Sequence, residues 1–367
     1  MPREIDVAKL QGWLAEQRPV TVLDIRSQAD REQWWIPGSI HADVYESLKA
    51  GDAGGLDTMA LPQHQPVVTV CGSGLMSLKA AEVLEARGLS ALSLQGGMKA
   101  WSLAWNTASR LFEGIEIIQV RRAGKGCLSY LVLSGGEAAV IDASLDPDVY
   151  LSLAQAGGAR VRYVLDTHIH ADHLSRARRL VESASDAQLV LPKQDRVRFS
   201  HTPVVDGDKL SLGSTSIEVL STPGHTGESV SYFVPNVAVF SGDTLFLNGV
   251  GRPDLHADGR EAATRSRMLF GSVSRLMALD AQLLLFPGHT SEPVLFDQEM
   301  WTASLGVVAG RLKDWLASDD EFVNRLLARI PPSPPNYALI SQINESGEWP
   351  DSDPTDLEAG ANRCAIS

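Results

Sequence analysis

The sequence predicts two α/β domains in tandem, the second built around a metal centre, and three observations carry that prediction. At 367 residues the chain exceeds the size that one hydrophobic core usually serves. Its first hundred residues alternate short apolar runs with helical spacing, as a parallel sheet crossed by helices does. Beyond residue 160, four apolar runs each end in histidine or aspartate, so metal-ligating side chains gather at strand mouths.

In the first domain, Val20 to Asp24, Val67 to Val70 and Ala91 to Leu94 read as strands, and Leu75 to Arg87 as a helix stopped by Gly88. Cys71 ends the second of these strands and opens the loop Gly72, Ser73, Gly74, Leu75, Met76, Ser77. Backbone amides of such a turn, pooled with the positive end of a helix, stabilise an anion at the sulfur. A nucleophilic thiolate is therefore expected at Cys71. Trp105 to Arg110 reads as the linker.

The second domain begins with Ile115 to Val120 and Cys127 to Leu133 as strands, a Gly135-Gly136 hairpin and Ala138 to Asp142, and Asp146-Pro147 opens a helix that ends at Gly157-Gly158. Val161 to Leu165 then runs into Asp166-Thr167-His168-Ile169-His170-Ala171-Asp172-His173. Two residues apart in extended chain, His168 and His170 point the same way, and Asp172 and His173 add two more donors. So dense a cluster is costly to bury unless a cation sits in it. Three further strand ends follow: Gly224-His225, Gly242-Asp243 and Gly288-His289. Five of the nine histidines are thereby used. Gly251-Arg252-Pro253-Asp254 comes next to the third strand end, where Arg252 is expected to pair with Asp254 or to hold a substrate carboxylate bidentately. Cys127 is expected in the core. Met300 to Leu316 and Asp319 to Arg329 read as helices, before the turn-prone Pro331 to Tyr337.

Composition narrows the function classes. A formal charge of −13 with no basic patch argues against nucleic-acid and anionic-membrane partners. No apolar run reaches membrane-span length and the first residues lack a signal-peptide core, so a cytoplasmic address is expected. Three scattered cysteines make no disulfide framework. Asp351 to Ser367 is polar and expected to be disordered. Its last four residues, Cys364-Ala365-Ile366-Ser367, formally match a prenylation box but follow no polybasic stretch, so lipidation stays outside the expected function.

The order HxHxDH, Gly-His, Gly-Asp, Gly-His resembles the metallo-β-lactamase superfamily over about Glu113 to Glu299. That resemblance implies an αββα sandwich with the metal at one edge. Leu23-Asp24-Ile25-Arg26, Ile36 to His41, the cysteine loop and Leu94 to Trp101 together resemble the single-domain rhodanese pattern over about Ile5 to Trp105. This implies that Cys71 carries sulfane sulfur; Met76 stands where an arginine is common, so a thiol-linked persulfide suits the loop better than thiosulfate. The expected division is thus residues 1–108, an α/β rhodanese-like sulfurtransferase domain; 109–350, a metallo-β-lactamase-like domain with closing helices; and 351–367, a disordered segment.

Within the superfamily the Gly-Arg-x-Asp segment resembles persulfide dioxygenases. The resemblance implies one Fe(II) per chain on His168, His225 and Asp243, a facial triad with open positions for a thiolate and O2. His170, Asp172, His173 and His289 would orient ligands from behind. The expected reaction is oxidation of a low-molecular-weight persulfide, such as glutathione persulfide, to sulfite, with Cys71 transferring sulfur and homo-oligomers possible. Two other readings stand. All seven metal-site residues also suit a dinuclear zinc thioester hydrolase of the glyoxalase II type, and a sulfur carrier or sensor could hold a structural metal. His289-Thr290-Ser291 replaces the His-Asp-Tyr common among the dioxygenases.

Overall fold

The computed structural model describes residues 3–351, 353–358 and 364–366. In the first domain five parallel strands lie side by side in the order Arg3–Ile5, Ala91–Leu94, Val67–Val70, Thr21–Asp24 and Ile40–His41. Helices cover both faces, and Leu23, Val67 and Ala80 pack one core while Val22, Val68 and Trp101 pack the other. Both faces being buried explains why these strands read as continuous apolar runs.

The second domain is a sandwich. One sheet of seven strands runs in the order Thr202–Val204, Gln188–Pro192, Arg160–Leu165, Glu137–Ile141, Cys127–Ser134, Ile115–Arg122 and Asn106–Phe112. The other, of six, runs Lys209–Leu212, Thr215–Ser221, Val230–Val234, Ala238–Gly242, Leu284–Pro287 and Ala303–Ser304. Their inner faces share one core, where Phe240 stacks on Phe286 at 5.2 Å and Tyr130 meets both edge-on. Outside the first sheet lie the helices Pro147–Ala156 and Ala177–Ser183, and outside the second lies Gly259–Met277. The layers are thus helix, sheet, sheet, helix, as the resemblance implied.

Three expectations are corrected. The stretch read as a linker is an edge strand, Asn106–Phe112, paired along its whole length with Ile115–Arg122; three successive residues, Ser109, Arg110 and Leu111, are exposed, so no inside–outside alternation is written there. The helix expected from Met300 starts only at Leu305, because Ala303 and Ser304 pair with Leu285 and Leu284 and the Ser304 side chain caps the helix. The segment expected to be disordered holds a helix, Pro354–Glu358, and a strand, Ala365–Ile366, paired with Val250–Gly251. Its Glu358 carboxylate is buried between Arg122, 2.7 Å away, and Arg176, and also accepts from the Leu174 amide at 2.8 Å. Two buried guanidiniums need a counter-charge, and composition alone does not show that residue 358 supplies it.

The two domains touch beside the first sheet. Trp34 donates from its indole to the carbonyl of Ala123 at 2.9 Å, and Arg122 Nε donates to the carbonyl of Ser102 at 2.7 Å. Lys99 of the first domain pairs with Asp353 and Asp356 of the closing segment. Among the described residues no helix is long and apolar enough to cross a membrane.

Candidate metal centre

His168 follows the strand Arg160–Leu165, where the chain leaves the sheet. Thr167 Oγ1 donates to Asp142 at 2.9 Å, so it must accept from His168 Nδ1, 3.0 Å away. That chain of bonds leaves His168 Nε2 bare, and it has no partner although buried. His225 repeats the logic: Nδ1 donates to the carbonyl of Arg252 at 2.8 Å, turning Nε2 toward Asp243 Oδ2, 3.7 Å away. Asp243 Oδ2 is likewise buried without a partner. His168, His225 and Asp243 thus offer three converging ligand atoms. Burial first, then the neighbouring imidazoles of His170 and His225, holds His168 well below its usual pKa, in the neutral form a metal needs.

Asp172, His173, His289 and Cys127 form a second group beside the first. His289 lies between two carboxylates, 2.6 Å from Asp243 through Nδ1 and 2.9 Å from Asp172 through Nε2. A Cβ on Gly288 would lie 2.4 Å from Asp243 Oδ1, so only glycine lets this strand end come so close. Burial pushes the His173 and His289 pKa values down, but Asp172 and then Cys127 raise His173 to about 10, and Asp243 with Asp172 raise His289 well above its usual value. Cys127, expected as a core residue, sits 3.7 Å from Asp172 Oδ2 and 4.0 Å from His173 Nδ1. Burial raises its thiol pKa, but His173 brings it down to about 6. Its strand position carried no signal of this placement; only the fold brings it to the ligands.

The fit to metal is good. Buried imidazole and carboxylate atoms without partners, converging from separate strand ends, are what a cation would satisfy, and nitrogen and oxygen donors with one sulfur suit zinc-like ions. His170 lies between these rings, 4.3 Å from His168 and 4.2 Å from His173 by ring centres; its Nε2 is 3.3 Å from Asp142 and 3.9 Å from Asp166 in a third buried group, and neither ring nitrogen has a hydrogen-bond partner. Burial and then Asp142, outweighing the His170 attraction, lift the Asp166 pKa to about 6.

Arg252 is buried, and its guanidinium is taken up by Asp254 at 2.7 Å and by the carbonyls of Pro331 and Pro332. The structure places it as scaffold beneath His225 rather than as a clamp on a substrate. Cys71 lies in the other domain, its sulfur accepting from the amides of Gly74 at 3.1 Å and Ser77 at 3.4 Å, with the Ser77 hydroxyl also at 3.4 Å. Gly97 closes this loop from below: its φ is +56°, and a Cβ there would lie 2.3 Å from the Cys71 carbonyl. Gly72, Ser73 and Leu75 face solvent, whereas Met76 is half-buried. Cys364 is buried, so its thiol is not presented as a modification box requires.

Two clefts open onto the metal-site histidines. One, of about 390 Å³, is lined by His168, His170, Phe199 and Trp349; the other, of about 370 Å³, by His225 and His256 with Lys193, Arg196 and Arg265.

Comparison with known proteins bears on both domains. Residues 122–289 match a family model described as the metallo-beta-lactamase superfamily, and residues 6–104 one described as a rhodanese-like domain. A hydroxyacylglutathione hydrolase of Anaeromyxobacter dehalogenans is 36% identical over 174 residues, which are 47% of this chain and 65% of that protein. A probable metallo-hydrolase of Burkholderia pseudomallei is 31% identical over 207 residues, 45% of this chain and 69% of that protein. The crystal structure of ETHE1 from Myxococcus xanthus, 26% identical, superposes with a TM-score of 0.54 over 62% of this chain and 97% of that one. The chain spans about half to two thirds of the length of the hydrolases it matches. These relatives overturn the expected sulfur dioxygenase: they carry the hydrolase name, so the Arg252 loop that suggested the oxygenase was a weaker signal than the whole ligand set.

Proposed function

Because the chain belongs to the metallo-β-lactamase superfamily and carries a rhodanese-like domain ahead of it, we propose that the second domain hydrolyses a glutathione-type thioester at a pair of zinc ions, the reaction the hydroxyacylglutathione hydrolases are named for. The observation that carries this reading is the pairing of two buried ligand groups, His168/His225/Asp243 and Asp172/His173/His289 with Cys127, linked through the His289 ring. When bound, a cation with open positions would polarise the thioester carbonyl and acidify a water.

The chain's own residues supply the rest. Thr167 and the Arg252 carbonyl fix the tautomers of His168 and His225, so both Nε2 atoms face the reacting region. His289 holds Asp172 and Asp243 in one orientation. Lys193, Arg196 and Arg265 line the cleft beside His225 with Asp195 and Glu228; Arg196 pairs with Glu228 and Glu345 and Arg265 with Glu261, which leaves Lys193 to meet a substrate's carboxylate. A thiol leaves readily as thiolate near neutral pH, so no proton donor is demanded at the leaving sulfur. The substrate is a small anionic thioester, and nucleic acid and membrane lie outside this reading.

The test is hydrolysis of a hydroxyacyl-glutathione thioester by the full chain, followed as thiol release. Activity should vanish with chelator, return with zinc, and fall by at least about 100-fold in His225→Ala. Full zinc loading without thiol release would sink the reading.

A further inference from the structure

Cys127 has no place in the ligand pattern read from the sequence, yet its sulfur belongs to one of three buried clusters of ligand-type side chains among the described residues. Cys127 Sγ, an Asp172 oxygen, a His173 nitrogen and a His289 nitrogen all lie within 4.8 Å of one another, and all four residues are buried. A buried cysteine ordinarily packs as a small hydrophobe. This one faces a carboxylate and two imidazoles instead.

The spacing lies within about 0.5 Å of a tetrahedral shell. Zinc bonds of about 2.3 Å to sulfur and about 2.0–2.1 Å to nitrogen or oxygen place neighbouring ligands roughly 3.4–3.6 Å apart. The separations here are 3.7 Å from Sγ to Asp172 Oδ2, 4.0 Å from Sγ to His173 Nδ1, 3.1 Å from His173 Nδ1 to Asp172 Oδ2 and 2.9 Å from Asp172 Oδ2 to His289 Nε2. Small rotations suffice to reach the shell. The backbone also fixes the sulfur: Cys127 bridges His289, and the Leu128 amide donates to the Gly288 carbonyl at 2.8 Å.

We infer that Cys127, with Asp172, His173 and His289, closes the coordination shell of one cation, while the cation held by His168, His225 and Asp243 keeps open positions. This rests on the two-metal reading and deepens it. A shell closed by four protein ligands is the pattern of a structural zinc, and three ligands with an open position that of a catalytic one. The two cations therefore divide the work, one bracing the strand ends and the other facing the substrate.

The test uses the full chain stripped of metal and loaded stepwise with Co(II). A cysteinate-to-cobalt charge-transfer band in the near ultraviolet should grow with one of two equivalents and stop there. Cys71→Ser and Cys364→Ser should keep the band, and Cys127→Ser should lose it while binding one equivalent at least about 10-fold more weakly. Should Cys127→Ser not fold, X-ray absorption on the zinc-loaded wild type decides: one sulfur per two zincs at about 2.3 Å is expected. Absence of that sulfur shell, uptake that stops at one equivalent, a band that persists in Cys127→Ser or one that disappears in Cys364→Ser overturns the inference. Thioester hydrolysis on the same samples separates the two ideas. Turnover without zinc–sulfur bonding sinks this inference alone, and zinc–sulfur bonding without turnover sinks the hydrolase reading alone.

Discussion

The Thr167 hydroxyl spends its proton on Asp142, and that single bond decides which nitrogen of His168 faces the metal site. Partners of this kind, one bond behind a ligand, typically govern metal affinity by 10–100-fold. Thr167→Val should therefore weaken metal binding by about 10–100-fold with little change in fold, measured by competition with a chromophoric chelator. Unchanged affinity would mean that His168 keeps its tautomer without help. Acid should act at the neighbouring group, since protons compete with cations for His173, whose pKa Asp172 and Cys127 raise against burial, and for His289, whose pKa Asp243 and Asp172 raise. Zinc affinity should therefore fall steadily as pH drops from 8 to about 6. At this scale His168, His225 and Asp243 were legible, because ligand types at strand ends form a pattern. Cys127 and Thr167 were not, since a small residue on a strand or in the bend after one looks the same whether it packs or binds.

Among the elements, the short helix Pro354–Glu358 shows how one buried charge orders a polar segment. Glu358 is held between Arg122 and Arg176, and its pKa lies well below the usual carboxylate range because those guanidiniums outweigh the burial that would raise it. Glu358→Gln should destabilise the second domain by about 3–5 kcal/mol, read from urea unfolding, since it strands two buried cations. A depressed carboxylate contributes stability above its unfolded pKa of about 4.3 and loses it as pH falls through its folded value. The wild type should thus lose stability below about pH 4.5 more steeply than Glu358→Gln does. Parallel acid curves for the two proteins would contradict this. Helical and strand periodicity gave the central strands and the helix Leu75–Ala86 closely, whereas the edge strand Asn106–Phe112 and the ordered closing segment carried no such period.

For the whole molecule, the two domains meet through Trp34 and the loop at Ala123, four residues before Cys127. Metal binds only the second domain in the proposed arrangement, and a ligand at 100 times its Kd stabilises the state it binds by about 2.7 kcal/mol. Chelation should therefore lower the unfolding transition of the second domain in calorimetry and leave that of the first nearly unmoved. A joint shift of both would show that the Trp34 contact makes them one cooperative unit. By itself the sequence determined that there are two α/β domains, that a cysteine loop crowns the first and that seven His and Asp side chains crowd the strand ends of the second. Those features are local, written in period, in turn residues and in spacing along the chain. Only the tertiary structure decided that Cys127 reaches the ligands, that His170 turns to Asp142 and Asp166, that Arg252 is locked in scaffold and that Glu358 anchors the closing segment. Each depends on which residues far apart in the chain share a buried, low-dielectric space, and that is set by how the sheets pack.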